Sequence, residues 1–147
     1  MIVQKTSVFP APRDVVFQKL QRPETLQTIA KPYAAFDPVD NATAVWTAGG
    51  TSSWRVRLFG FIPFGTHTIW IVRFDPEKVS SQEGNRHVPV WNHDILLVPV
   101  DESHTEYTDR VKIRAGWKTI FIWLWAKAFY AHRQRKWIRL LKEGEVQ

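Results

Sequence analysis

Apolar and polar positions alternate with a period of two through most of this chain. Two short helical stretches interrupt that pattern near the start, and a helical period replaces it at the end. Ile2 to Phe9 reads as a strand that stops at Pro10. Pro12 at a first helical position, with Asp14 in the first turn, opens a short helix whose Val16, Phe17 and Leu20 share a face. Pro23 with Glu24 opens a second helix through about Ile29. From there the pattern predicts strands. Asp40 to Thr47 and Ser52 to Phe59 are joined through Ala48, Gly49 and Gly50, where glycine supplies the positive φ of a hairpin turn. Gly60 to Gly65 leads into Thr66 to Asp75, followed by a short strand at Val79 to Glu83. Pro89 to Val98 and Thr105 to Arg114 follow, joined by Pro99 to His104, and one long helix from Trp117 to about Glu143 closes the chain.

The cleanest alternation lies in Thr105 to Arg114. Thr105, Tyr107, Asp109, Val111 and Ile113 share one face, and Glu106, Thr108, Arg110, Lys112 and Arg114 share the wet one. In the preceding strand Trp91, His93, Ile95 and Leu97 form the inward set. Asp109 is therefore expected inside, where an ionised carboxylate is costly unless paired. A hairpin loop around Asp101 to Ser103 puts His93 opposite or diagonal to it, so His93 and Asp109 are the sharpest polar pair in the sequence. Such a pair serves as mutual hydrogen-bond satisfaction, as a means of orienting a ligand, or as acid/base machinery. The direction of His67 is ambiguous, since both faces of its strand are equally apolar.

At about 100° per residue, the last helix places Trp123, Ala126, Tyr130, Trp137, Leu140 and Leu141 in one stripe, with Arg133 at its margin. Arg135, Lys136, Arg139 and Lys142 lie opposite. Its first half is apolar all round, because Phe121, Leu124, Trp125 and Ala128 occupy the angles that later turn basic. That surface calls for cover from the short helices, a second copy of the chain in a homodimer, or a peripheral membrane contact.

The order of one strand, two helices, a run of strands and one long helix predicts a single domain, residues 1–147, of the α+β class. In it the long helix covers one face of an antiparallel sheet. Of the 147 residues, 44% are hydrophobic and 23% charged, which suits a globular core. With no cysteine, disulfides, thiolate metal sites and cysteine nucleophiles are excluded. No histidine pair has the spacing of a zinc helix, and neither a phosphate-binding glycine loop nor a serine-hydrolase elbow occurs, so no metal or other cofactor is expected. The net charge of +6 sits mostly in residues 117–147, which carry 7 Lys and Arg against 2 acidic residues. Basic side chains late in a helix suit its dipole, which makes nucleic acid an unfavoured partner. The N-terminus shows no secretory pattern, and the apolar part of the last helix, Trp117 to Phe129, would span only about 20 Å against roughly 30 Å of hydrocarbon. A cytoplasmic location is the expectation.

Several stretches carry a resemblance: FPAPRDVVF (9–17), GFIPFGTHTI (60–69), WNHDILLVP (91–99), TEYTDRV (105–111) and FYAHRQRKW (129–137). The chain resembles the START-like, or SRPBCC, superfamily of helix-grip proteins, which includes polyketide cyclases, coenzyme Q-binding proteins and plant carriers of hydrophobic ligands. The resemblance implies a sheet of about seven strands curved around the C-terminal helix, with a mostly apolar cavity between them. It places Trp54, Trp91, His93, Tyr107 and Asp109 on the cavity's sheet side, facing Trp123, Ala126 and Tyr130. It also implies binding of a hydrophobic small molecule such as a lipid, quinone or polyketide. A cyclase, aromatase or dehydratase using His93 and Asp109 is the alternative, and a lipid-surface or protein-interaction module working through Phe121, Leu124 and Trp125 is a third reading.

Overall fold

A computed structural model describes residues 1–39 and 46–146. Strand β1 (Ile2–Phe9) leads into helices α1 (Arg13–Leu20) and α2 (Pro23–Ala30), then into β2 (Ala34–Pro38). Strands β3 (Thr51–Leu58), β4 (Ile62–Phe74), β5 (Lys78–Gly84), β6 (Val90–Pro99) and β7 (Thr105–Arg114) follow as a meander. A 3-10 turn at Gly116–Lys118 then runs into the long helix α3 (Thr119–Val146). The strands form one seven-stranded antiparallel sheet in the order β1-β7-β6-β5-β4-β3-β2. This is the helix-grip α+β fold, and among the described residues no helix is long and apolar enough to cross a membrane.

The α1–α2 pair carries the chain from the β1 edge of the sheet to the β2 edge, and α3 lies across the sheet against β1, β7 and α2. Register shifts between Arg55 and Arg57 and between Ile71 and Arg73 mark bulges in the β3–β4 and β4–β5 ladders. A bulge adds local twist and bends its strand, which lets a sheet wrap a helix.

Several boundaries differ from the sequence pattern. The expected strand at Asp40 to Thr47 lies outside the described residues except for Trp46 and Thr47, which are not in a strand. The edge position is taken by Ala34–Pro38, a five-residue segment too short to show a period and ended by a proline that only an edge strand tolerates. Pro12 is the residue before the first turn of α1 rather than its first helical residue. Strand β4 begins four residues early, at Ile62, because the chain reverses within Phe59, Gly60 and Phe61. There Phe59 adopts φ 55°, and its N–H donates to the Tyr33 carbonyl at 2.8 Å.

Three apolar clusters lie between the layers. Val3, Trp91, Val111, Ile113, Ala126, Phe129 and Tyr130 form one, beneath the first half of α3. Phe9, Val16, Ile29, Ile95, Leu97, Tyr107, Trp137 and Leu141 form the second, where Phe9 stacks on Tyr107 at 4.3 Å between ring centres. Trp54, Ile69 and Ile71 form the third, near the β3 side. Each fully buried large side chain contributes about 1.5–3 kcal/mol.

The rotation of α3 differs from the expected stripe. Its buried face is Ala126, Phe129, Tyr130, Arg133, Gln134, Trp137 and Leu141, so Arg133 sits inside rather than at the margin. Trp125 turns inward against Trp91 and Phe129, which corrects its assignment to the far side with Phe121 and Leu124. Phe121 and Leu124 stand exposed, together with Trp117 and Ile120.

Gly84 is the most closely packed of the glycines in the meander: an added Cβ there would lie 2.7 Å from the Pro89 carbonyl oxygen. Backbone cannot yield there as a flexible side chain would. Gly84→Ala should cost about 1–3 kcal/mol of stability, read as a lower urea midpoint with an unchanged slope.

Candidate functional site

Between sheet and helix the three clusters do not close on one another. They leave a cavity with about 100 Å³ of free room. One water needs roughly 10–15 Å³ of such room, so the tryptophans do not fill the interior. Phe36, Val56, Ile69, Ile71, Phe74, Val79, Trp91 and Ile95 line it from the sheet; Leu26 and Ile29 line it from α2; Trp125, Phe129, Tyr130, Arg133 and Trp137 line it from α3. Trp46 and Phe64 complete the aromatic wall.

Across the sheet wall of this apolar space runs a slanting row of polar side chains, which the register explains. Glu83 faces Ile69 on one neighbouring strand and Trp91 on the other, so His67 and His93 are its diagonal neighbours. His93 faces Val111, which makes Asp109 its diagonal neighbour in turn. Diagonal positions are close enough for long side chains to meet. His67 Nε2 lies 2.9 Å from Glu83 Oε1, and Ser81 donates its hydroxyl to Glu83 Oε2. His93 Nε2 lies 2.7 Å from Asp109 Oδ1, while its Nδ1 is 3.8 Å from Glu83 Oε2, beyond hydrogen-bond range.

Asn85 sets the ring geometry of His67. Its Oδ1 accepts the backbone N–H groups of His87 and Val88 at 2.8 and 2.9 Å, so its amide nitrogen must be the atom 3.1 Å from His67 Nδ1. An NH₂ group there can only donate. His67 Nδ1 is therefore the acceptor, and Nε2–H donates to Glu83.

Asp109 is fully buried and sits behind the cavity wall, where it ties the sheet to α3. Gln134 Nε2 donates to Asp109 Oδ2 at 3.0 Å and to the Lys5 carbonyl at 2.8 Å, and Gln134 Oε1 accepts from Ser7 at 2.6 Å. Arg133 Nη2 donates to the Tyr107 hydroxyl at 3.3 Å, which in turn reaches Asp109 Oδ1 at 3.4 Å. Burial opposes ionisation of Asp109, but the Arg133 charge and the hydrogen bonds from His93 and Gln134 outweigh it and hold the carboxyl below the usual aspartate value. Glu83 follows the same logic: burial works against its charge, while His67, His93 and Ser81 hold it below the usual glutamate value. Burial pushes the Tyr107 and Tyr130 hydroxyls up, so both stay protonated.

Of the eight residues expected around a ligand, Trp91, His93 and Tyr130 line the cavity. Trp54 is buried in the β3 cluster, with its indole N–H on Ser52; Tyr107 and Asp109 stand behind the wall; Ala126 packs from α3 into the cluster of Val111 and Ile113. Trp123 faces the β1 edge, donating to the Ile2 carbonyl at 2.9 Å beneath the Lys127 ammonium. Pattern reading missed His67, Ser81, Glu83, Asn85, Trp125 and Arg133. Strand β5 is polar on both faces, so its period gave no sign of which side is inward. The i, i+4 row of Trp125, Phe129, Arg133 and Trp137 was the available signal for the helix.

A curved antiparallel sheet around a C-terminal helix, with a cavity between them, is the START-like helix-grip fold. Solved structures of that fold include a START superfamily protein from Mycobacterium smegmatis, at 11% identity and TM-score 0.74 over 97% of each chain. The Zhui aromatase/cyclase from Streptomyces superposes with TM-score 0.64 at 16% identity, over 99% of this chain and 93% of that one. DynU16, a putative protein in the dynemicin biosynthetic locus, gives TM-score 0.65 at 19% identity, with 97% of this chain covering 48% of it. At these identities the likeness establishes the fold alone. The chain belongs to the family described as Domain of unknown function (DUF8410), whose model matches residues 7–141. No curated protein matches the sequence.

Both buried carboxyls have folded-state pKa values below their unfolded ones, which are about 3.9 for Asp and 4.3 for Glu. The stability they contribute is fully present above those unfolded values and is lost as the pH falls through the folded ones. The urea midpoint should therefore drop as the pH falls below about 5. Asp109→Asn should lower stability by roughly 3 kcal/mol at pH 6 and flatten the acid limb. A variant curve running parallel to wild type would contradict the pairing.

Proposed function

We propose that this protein binds a hydrophobic, ring-containing small molecule in the cavity between sheet and α3. The observation that carries the reading is a largely apolar cavity with aromatic walls, crossed on one side by convergent polar groups. Aromatic faces give flat contact area, and a few fixed polar groups orient what lies between them. The named neighbours, a START superfamily protein and an aromatase/cyclase, support a ligand-binding interior of this kind. Protein purified from its native host should release an organic compound on solvent extraction, detectable by mass spectrometry. Trp91→Ala or Phe129→Ala should change the amount or identity retained by severalfold. Extracts indistinguishable from those of an unrelated protein would count against the reading.

One observation favours a catalytic variant of the same reading. His93 lines the cavity with Nδ1 free of any hydrogen bond among the described residues, while Asp109 holds Nε2 from behind. That is the arrangement of an oriented acid/base, in which the carboxylate fixes the ring and the free nitrogen meets the ligand. Incubating the extracted compound with protein in D₂O should then introduce deuterium at a carbon-bound position, and His93→Ala should slow this by about 10²-fold or more. Unchanged exchange in His93→Ala would leave His93 an orienting group.

A further inference from the structure

We propose that Arg133 is the polar anchor of the cavity, and that the bound molecule is a ring compound presenting an oxygen acceptor, carbonyl or carboxylate, to its guanidinium. This rests on the ligand-binding reading and narrows its chemistry. Arg133 lines the cavity and is only 5% exposed. A guanidinium carries five N–H donors, and a buried one requires acceptors. The structure gives Arg133 one hydrogen bond, from Nη2 to the Tyr107 hydroxyl. Asp109 Oδ1 stands 3.9 Å from Nη2, too far for a hydrogen bond, and that carboxylate is already bonded to His93 and Gln134. Nε is buried and finds no acceptor among the described residues.

The deficit is repeated along the same helical row. Trp125 and Trp137 line the cavity one i+8 step before and one i+4 step after Arg133, and each has a buried indole N–H without an acceptor among the described residues. The α3 wall is thus short of acceptors, whereas Glu83 on the sheet wall is occupied by His67 and Ser81. A buried donor left unmade is expensive, and most of all when it is charged. An oxygen on the ligand relieves that deficit while its rings pack against Trp91 and Phe129.

The test uses three naphthalenes of similar shape: 2-naphthoate, 2-acetonaphthone and 2-ethylnaphthalene. They are titrated into the purified protein by tryptophan fluorescence, which reports the cavity through its indoles, and by calorimetry. Both oxygen compounds should bind about tenfold or more tighter than the hydrocarbon. Arg133→Gln and Arg133→Met should collapse that ratio to about twofold or less, and a larger loss for naphthoate than for acetonaphthone would identify the carboxylate as the preferred group. If Arg133→Met fails to fold because Asp109 loses the nearby positive charge, Arg133→Gln with Asp109→Asn carries the same measurement. A wild-type protein that binds all three equally, or folded variants that keep the preference, would overturn the anchor while leaving the cavity reading intact. Failure of all three to bind wild type would overturn both.

Discussion

A carboxylate with no contact with water sits near the middle of β7, and the position of the long helix follows from how it is satisfied. Asp109 receives a hydrogen bond from His93 within the sheet and another from Gln134 on α3, with the Arg133 charge close by. An isolated ionised carboxylate in such surroundings would be prohibitive, so these partners are required. Gln134 meets the requirement while also bonding the Lys5 carbonyl and the Ser7 hydroxyl on β1. One side chain of α3 is thereby fixed against the two strands β1 and β7, and the rotation of the whole helix is set. Once Gln134 points at Asp109, the row of Trp125, Phe129, Arg133 and Trp137 must face the remaining strands.

That rotation accounts for the cavity. The row facing β4, β5 and β6 is made of large aromatic rings and an arginine, and the opposing strands present Ile69, Ile71, Val79, Trp91 and Ile95. Large flat side chains at both walls hold the layers apart without interlocking. Where small residues occur on α3, as at Ala126, helix and sheet approach and the core closes around Val111 and Ile113. Cavity and core are thus two consequences of one helix lying on one sheet, distinguished by side-chain size.

The polar row through the apolar wall is arranged so that each member has a partner on the adjoining strand. Asn85 fixes His67, His67 and Ser81 satisfy Glu83, and Asp109 holds one nitrogen of His93. Such a network costs desolvation energy that a wholly apolar sheet would avoid, and it is tolerable only because its bonds are made. Among the described residues, groups left incompletely bonded include His93 Nδ1 on the sheet and Arg133 with the Trp125 and Trp137 indoles on the helix, and all belong to residues of the cavity wall. Function is therefore sought at that wall rather than at the exposed start of α3.

The sequence by itself determined the order of elements, the α+β class, the inward faces of β6 and β7, and the pairing of His93 with Asp109. Each of these follows from local periodicity or from two strands joined by a short hairpin, where register is nearly fixed by the loop. Strand β2 escaped because five residues ending in proline carry no period, and β5 because it is polar on both faces and its inward side is chosen by its neighbours. The tertiary structure alone decided that Glu83 joins two histidines, that Arg133 lies inside, and that Trp125 rather than Trp123 walls the cavity. A helix apolar around its whole circumference has no preferred rotation of its own. Asp109, contributed by a strand distant in the chain, supplies it.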